Sequence, residues 1–189
     1  MSGFNLRPTE DTMVFIDGPN LYGAAKIVGC DIDYRSLQDY FTKNSFTNRI
    51  FYYSSILDTG EQDEHVTIKP LLDWLSYNGY HVVTKTAREF TDSTGRRKIK
   101  GSMIVDMAVD MLRSAMNGAK HIVLFSGDGE FTPVLRALQD MGVRTTVVST
   151  KQSFSGAPMI SDELCRQTDN FVDLQNVQDH RLLFQILIF

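Results

Sequence analysis

A three-layer α/β/α sandwich with a central, mainly parallel sheet is the fold class the sequence predicts. Strand-like and helix-like segments alternate along the 189 residues, and short apolar runs stop abruptly at Gly, Asp or Ser. No internal repeat or low-complexity tract interrupts them. Parallel neighbours need helical crossovers, so this alternation implies a parallel sheet covered on both faces.

The elements follow in order. Met13 to Asp17 (MVFID) reads as a buried strand feeding GPNLYGAAKIVG, a helix with Pro19 at its start and Gly29 at its end. Tyr34 to Lys43 is helical, and Arg49 to Ile56 (RIFYYSSI) is a strand rich in aromatic and β-branched residues. Glu61 to Asn78 has helical periodicity through His65, Ile68, Leu72 and Leu75, stopped by Gly79. Tyr80 to Ala87 is the next strand, and the polar REFTDSTGRRKIKG after it is an extended loop or hairpin. Met103 to Asn117 is a helix, His121 to Phe125 a strand, Phe131 to Met141 a helix and Val143 to Ser149 a strand. A Ser/Gly-rich loop, a short helix over Ser161 to Gln167 and the strand FVDL complete a domain expected to span residues 1–175. Residues 176–189 form an apolar tail whose LLFQILIF docks on its own core or pairs two chains as a homodimer.

Apolar content of 42% and charged content of 22% are ordinary for a soluble globular domain. The net charge of −4 excludes a general polyanion binder, so any nucleic-acid contact needs a local basic patch or bridging cations. Cys30 and Cys165 are isolated, which argues against zinc and against a disulfide scaffold and fits a reducing cytoplasm. No signal-peptide pattern opens the chain, and no apolar run reaches membrane-spanning length.

Ligands of such sheets bind outside the carboxyl ends of the strands. Asp17 ends the first strand, and Asp128 and Glu130 follow the strand that stops at Phe125. Asp106 and Asp110 stand four apart on one helix face, continued by Arg113 and Asn117. Taken singly, Asp17 and Asp128 read equally as helix caps, and the helix pair as a solvated stripe. Three segments aiming acids at one edge point instead to a cation between them. An all-oxygen donor set suits Mg²⁺ or Mn²⁺, which would activate water for displacement at phosphorus. Gly18, Gly127 and Gly129 are expected to let a phosphate approach the backbone. Dinucleotide (GxGxxG), P-loop (GxxxxGK[ST]) and GxSxG motifs are absent, and the first strand ends in DGPN instead of DxD.

VFIDGPNLYGAAK, KGSMIVDMAVDMLRSA, IVLFSGDGEFTPVLRALQDMG and VRTTVVS, in this order, resemble the NYN domain family of the PIN-like nuclease superfamily, which includes low-amplitude-and-bright and limkain-type proteins. The resemblance covers roughly residues 12–175 and implies a PIN-like (Rossmann-like) fold, an Mg²⁺- or Mn²⁺-binding acidic pocket and an RNA substrate. It matches Asp17 and Asp128 to the strand-end acids, Asn20 to the polar partner in the first turn, and Asp110 to the helix aspartate. Glu130 stands where many relatives carry a second Asp. Relatives also carry an Asp just after the KG pair, where this chain has Ser102, Met103 and Ile104.

The resulting expectation is a ribonuclease with Asp17, Asp106, Asp110 and Asp128 as metal ligands, directly or through water. Asn20 and Ser126 orient water or phosphate, and Glu130 serves as base. Arg88, Arg96, Arg97, Lys98 and Lys100 form the dense basic segment expected to grip RNA phosphates. Tyr22 and Phe131 are either base-stacking or core residues. The alternatives are a non-catalytic RNA-binding or regulatory module acting through partners, and a phosphatase on small esters.

Overall fold

In chain order the elements are β1 (Asp11–Asp17), α1 (Gly18–Val28), β2 (Cys30–Ile32), α2 (Tyr34–Asn44), β3 (Phe46–Leu57), α3 (Lys69–Tyr77), β4 (Tyr80–Thr91), β5 (Arg97–Lys100) and α4 (Ile104–Met116). There follow β6 (His121–Phe125), a 3-10 turn (Gly129–Phe131), α5 (Thr132–Asp140), β7 (Arg144–Ser149), α6 (Asp162–Gln167), β8 (Asn170–Asp173) and β9 (Phe184–Ile186). The computed structural model describes residues 3–57, 68–91, 97–100, 102–153, 158–176 and 184–186.

Among these residues the sheet runs β5-β4-β3-β1-β6-β7-β8. All its pairings are parallel except that of β4 with β5. β1 is central and buried on both faces, which is why VFI reads as a continuous apolar run. Val14 and Ile16 point into one core with Ile50, Tyr52, Val123 and Phe125, covered by Leu21 of α1, Leu37 and Phe41 of α2, and Leu72 and Leu75 of α3. Phe15 points the other way, with Phe51, Tyr53, Ile122 and Leu124, covered by Met107 and Met111 of α4, Leu135 and Leu138 of α5, and Leu164 of α6. The period-two alternation of the strands therefore builds two cores and three layers.

Two helices differ from their expected bounds, and the basic segment and the tail each take one of the alternatives the sequence left open. The helix expected from Glu61 is described as α3 from Lys69, with Pro70 in its first turn; residues 58–67 lie outside the described residues. The basic segment is a hairpin, with Arg88 paired to Lys100 and Thr91 to Arg97. The helix expected from Phe131 starts at Thr132, because the 3-10 turn precedes it. Part of the apolar tail adds β9 antiparallel to β2, with Cys30 opposite Ile186, so these residues dock on their own chain.

At the amino-terminal edge of the sheet His121 is fully buried. Its Nε2 lies 2.8 Å from Thr146 Oγ1 and its Nδ1 3.2 Å from Arg144 Nη2. The Arg144 guanidinium also donates to the Glu10 carboxylate and to Asn5 O. Burial, and then Arg144, push the imidazole down to about 4, against an opposing pull from Glu10 and Asp169. Burial alone would raise the Glu10 carboxyl, but the Arg144 hydrogen bond and charges from Arg144, His121 and Arg7 bring it below its ordinary value. In the unfolded chain His121 takes its proton near 6.5. Stability from its neutral form is therefore full above that pH and falls on acidification to about 4. Denaturant unfolding at pH 7 and pH 4 should differ by about 3 kcal/mol from this group, with Glu10 adding to the loss at the acid end. His121→Gln should flatten the profile.

Candidate active site

β1 separates strands that extend the sheet in opposite directions, β3 to one side and β6 to the other. Such a switch point leaves a crevice outside the strand ends, and the site lies there. Asp17 closes β1 and caps α1, its Oδ1 accepting from Asn20 N at 3.3 Å. Its Oδ2 accepts from Ser126 Oγ, just beyond β6, at 3.1 Å. Asn20 Oδ1 accepts from Gly127 N at 2.9 Å, and Ser126 Oγ from Asp128 N at 3.3 Å. Asp128 in turn caps the 3-10 turn, its Oδ1 accepting from Glu130 N at 3.0 Å. The two acids are thus both helix caps and members of one hydrogen-bonded ring joining the ends of β1 and β6.

The glycines here serve internal packing. A Cβ on Gly127 would meet Met159 O, Ser149 Oγ and Ile160 Cα, one on Gly18 the Tyr52 ring, and one on Gly129 Ser161 Oγ. Access for a phosphate is therefore not what these positions require, contrary to the expectation from sequence.

A cleft of about 290 Å³ opens beside Asp17 and Asp128, lined also by Pro19, Ser55, Ser102, Met103 and Ile104. The first turn of α4 thus presents Ile104 to the cleft. The acids of α4 have other partners. Asp110 Oδ2 accepts from the Tyr53 hydroxyl at 2.8 Å, and its Oδ1 lies 3.4 Å from Arg113 Nη1. Asp106 is 2.9 Å from Lys85 Nζ of β4. Among the described residues no three Asp, Glu, His or Cys side chains gather closely enough to hold a metal ion.

Burial raises the Asp17 carboxyl above its ordinary range, against the Asn20 and Ser126 hydrogen bonds, and Asp128 adds repulsion. Two carboxylates that repel each other across a cleft form a donor set of the kind Mg²⁺ uses, since that ion is held by one or two carboxylates, several waters and substrate phosphates. Asp17 and Asp128 fit such a water-rich site, although not a dedicated protein cage.

Residues 11–175 match the family model of the NYN domain. The chain belongs to the NYN domain family. It is 31% identical over 169 residues to the low amplitude and bright protein LabA of Synechococcus elongatus, covering 87% of this chain and 84% of that protein. It also superimposes with a TM-score of 0.70 on the crystal structure of a protein of unknown function from Vibrio parahaemolyticus, at 19% identity over 98% of this chain and all of that one, which speaks for the fold alone. NYN membership points to a nuclease-like, RNA-related function.

Of the residues singled out from sequence, the NYN domain brings Asp17, Asn20, Ser126 and Asp128 into one ring and leaves Glu130 exposed at its rim. Asp106 and Asp110 extend from α4 but are held by Lys85, Tyr53 and Arg113. Phe131 is fully buried in the core, whereas Tyr22 is exposed, with Lys26 Nζ 4.6 Å above its ring. Arg96 lies outside the described residues, and for Arg97, Lys98 and Lys100 only the β5 backbone is described. Tyr53, Ser55 and Lys85 were not singled out. Two-residue alternation from Phe51 puts Tyr53 and Ser55 on the α4 side of β3, a signal that could have found them.

Among the described residues no helix is long and apolar enough to cross a membrane.

Proposed function

We propose that this NYN domain is an Mg²⁺- or Mn²⁺-dependent ribonuclease that hydrolyses RNA phosphodiester bonds outside the ends of β1 and β6. The observation that carries the reading is the ring in which Ser126 and Asn20 tie Asp17 to the backbone of Gly127 and Asp128 at the switch point, where the Asp17 and Asp128 carboxylates repel each other. Those two carboxylates would hold the cation. When bound, it would lower the pKa of a water and neutralise charge on the phosphate oxygens. The Ser126 hydroxyl keeps Asp17 oriented, and Asn20 fixes the loop that carries Asp128. Glu130, exposed at the rim, would serve as the base that takes a proton from water. Asp110, steadied by Tyr53, contributes negative charge from α4 and acts on the site through water.

A second reading, an RNA-binding or regulatory NYN module without catalysis, is favoured by Ile104 at the cleft and by the pairing of Asp106 with Lys85. Incubating the purified chain with single-stranded RNA separates the two. The ribonuclease reading expects cleavage with Mn²⁺ and none with EDTA. Binding without cleavage across Mg²⁺, Mn²⁺ and varied RNAs would establish the second.

In either case the basic hairpin is the RNA grip. Replacing Arg96, Arg97 and Lys98 together by Ala should weaken binding to all sequences alike. The slope of log affinity against log salt should flatten by about 0.7 per lost phosphate contact. Cleavage at saturating RNA should change far less, because these groups position the strand and do not touch the reacting phosphorus. Unchanged affinity and slope would make the hairpin a solvated surface.

A further inference from the structure

α4 buries Met107, Met111 and Ser114. Its opposite face exposes apolar side chains: Val105, Val109 and Met116 are 71%, 49% and 76% exposed, and half-buried Leu112 between them packs partly against the protein's own core. The steps from Val105 to Val109, Leu112 and Met116 are four, three and four residues. That is a coiled-coil seam in the order d, a, d, a. Among the described residues, the other exposed large apolar side chains, such as Tyr22, Phe46, Tyr77 and Met141, sit singly on other elements.

The flanks of the seam identify its occupant. In this register Asp106 and Arg113 are the e positions, while Ala108 and Ala115 are the g positions. An antiparallel pair of identical helices opposes e to e and g to g. Asp106 of each copy then meets Arg113 of the other on one side, while on the other Ala108 and Ala115 are half-buried against the protein's own core. A parallel pair would set each charge opposite an alanine. The seam is also its own reverse, since Val105 falls opposite Met116 and Val109 opposite Leu112.

We propose that the protein forms a two-fold dimer in which α4 packs antiparallel against α4 of a second copy. Arg113 is available for this role. Its side chain is 72% exposed, and its own-helix contact with Asp110 is 3.4 Å long. Asp106 keeps Lys85 on one side and gains the arginine on the other. Because Ile104 at the start of the same helix lines the cleft, the dimer carries its two clefts at opposite ends of the helix pair. Along the axis of the pair the two Ile104 residues are offset by about 20 Å, the length of thirteen helical residues. A single helix pair is a small interface, so the dissociation constant is on the order of micromolar or weaker.

Sedimentation equilibrium of the full chain over a concentration series reaching the millimolar range tests this. Wild type should shift from monomer to dimer. Val109→Glu should raise the dissociation constant about a hundredfold, because both copies lose a buried valine. Asp106→Arg alone and Arg113→Asp alone should each weaken the dimer by placing like charges together. The double exchange should recover wild-type association. These positions are exposed or half-exposed, and circular dichroism confirms that each variant folds. A wild type that stays monomeric throughout would overturn the proposal and leave the face to a different partner. A dimer indifferent to Val109→Glu and to the single exchanges would also overturn it, by showing that another surface associates. A double exchange that fails to restore a dimer lost in the single ones would refute the antiparallel register.

Discussion

Asp17→Asn should lower kcat/KM for Mn²⁺-dependent RNA cleavage by at least about a thousandfold, since a direct cation ligand contributes several kcal/mol to the transition state. The same change should raise the thermal midpoint of the metal-free protein by a few degrees. Burial and Asp128 make the ionised Asp17 costly, so its folded carboxyl titrates above the unfolded value of 3.8. The penalty is absent below that value, grows as pH rises through the raised folded one and is full at neutral pH. Asparagine carries no such charge. It also caps a helix as well as aspartate does, so the Asn20 N–H contact and the start of α1 persist. Lost activity together with gained stability would mark a functional carboxylate, because a structural one would lose both. Asp128→Asn should likewise lose cleavage and keep the fold, since asparagine retains the cap on the 3-10 turn.

Ile104→Asp should act in the opposite direction on metal binding. Ile104 lines the cleft beside Asp17 and Asp128 and packs partly against the core. An aspartate there would give the cation a third carboxylate, from α4. Mn²⁺ affinity should rise by about ten- to a hundredfold, a range typical of adjustments around a metal's ligand shell. Without metal the variant should be less stable by about 1–3 kcal/mol, from lost apolar contact and a third like charge at the cleft. Thermal melts with and without Mn²⁺ read both effects. The metal-induced rise in midpoint should be larger for Ile104→Asp than for wild type. Equal shifts would mean that α4 does not face the cation.

The parts of the fold visible in the sequence were those whose side-chain period is strong. β1, β6 and β7 are apolar runs closed by polar punctuation, and their carboxyl ends led directly to Asp17 and Asp128. β2 and β9, three residues each, are too short to show a period and depend on each other for their hydrogen bonds. The α4 acids could be placed on one helix face but not given partners. The Tyr53 hydroxyl and the Lys85 ammonium reach them from β3 and β4, and only tertiary packing decides that. His121 illustrates the same limit: nothing local shows that its ring is enclosed and meets Arg144 and Thr146. Gly127 does so in another way, since the atoms that exclude a side chain there belong to Ser149, Met159 and Ile160.

A crystal of the protein soaked in Mn²⁺ and read for anomalous scattering tests the central claim most directly. The account predicts one strong peak between the side chains of Asp17 and Asp128, absent from crystals of Asp17→Asn. A map with no peak at that edge, from crystals whose protein still cleaves RNA in the same Mn²⁺, would contradict it.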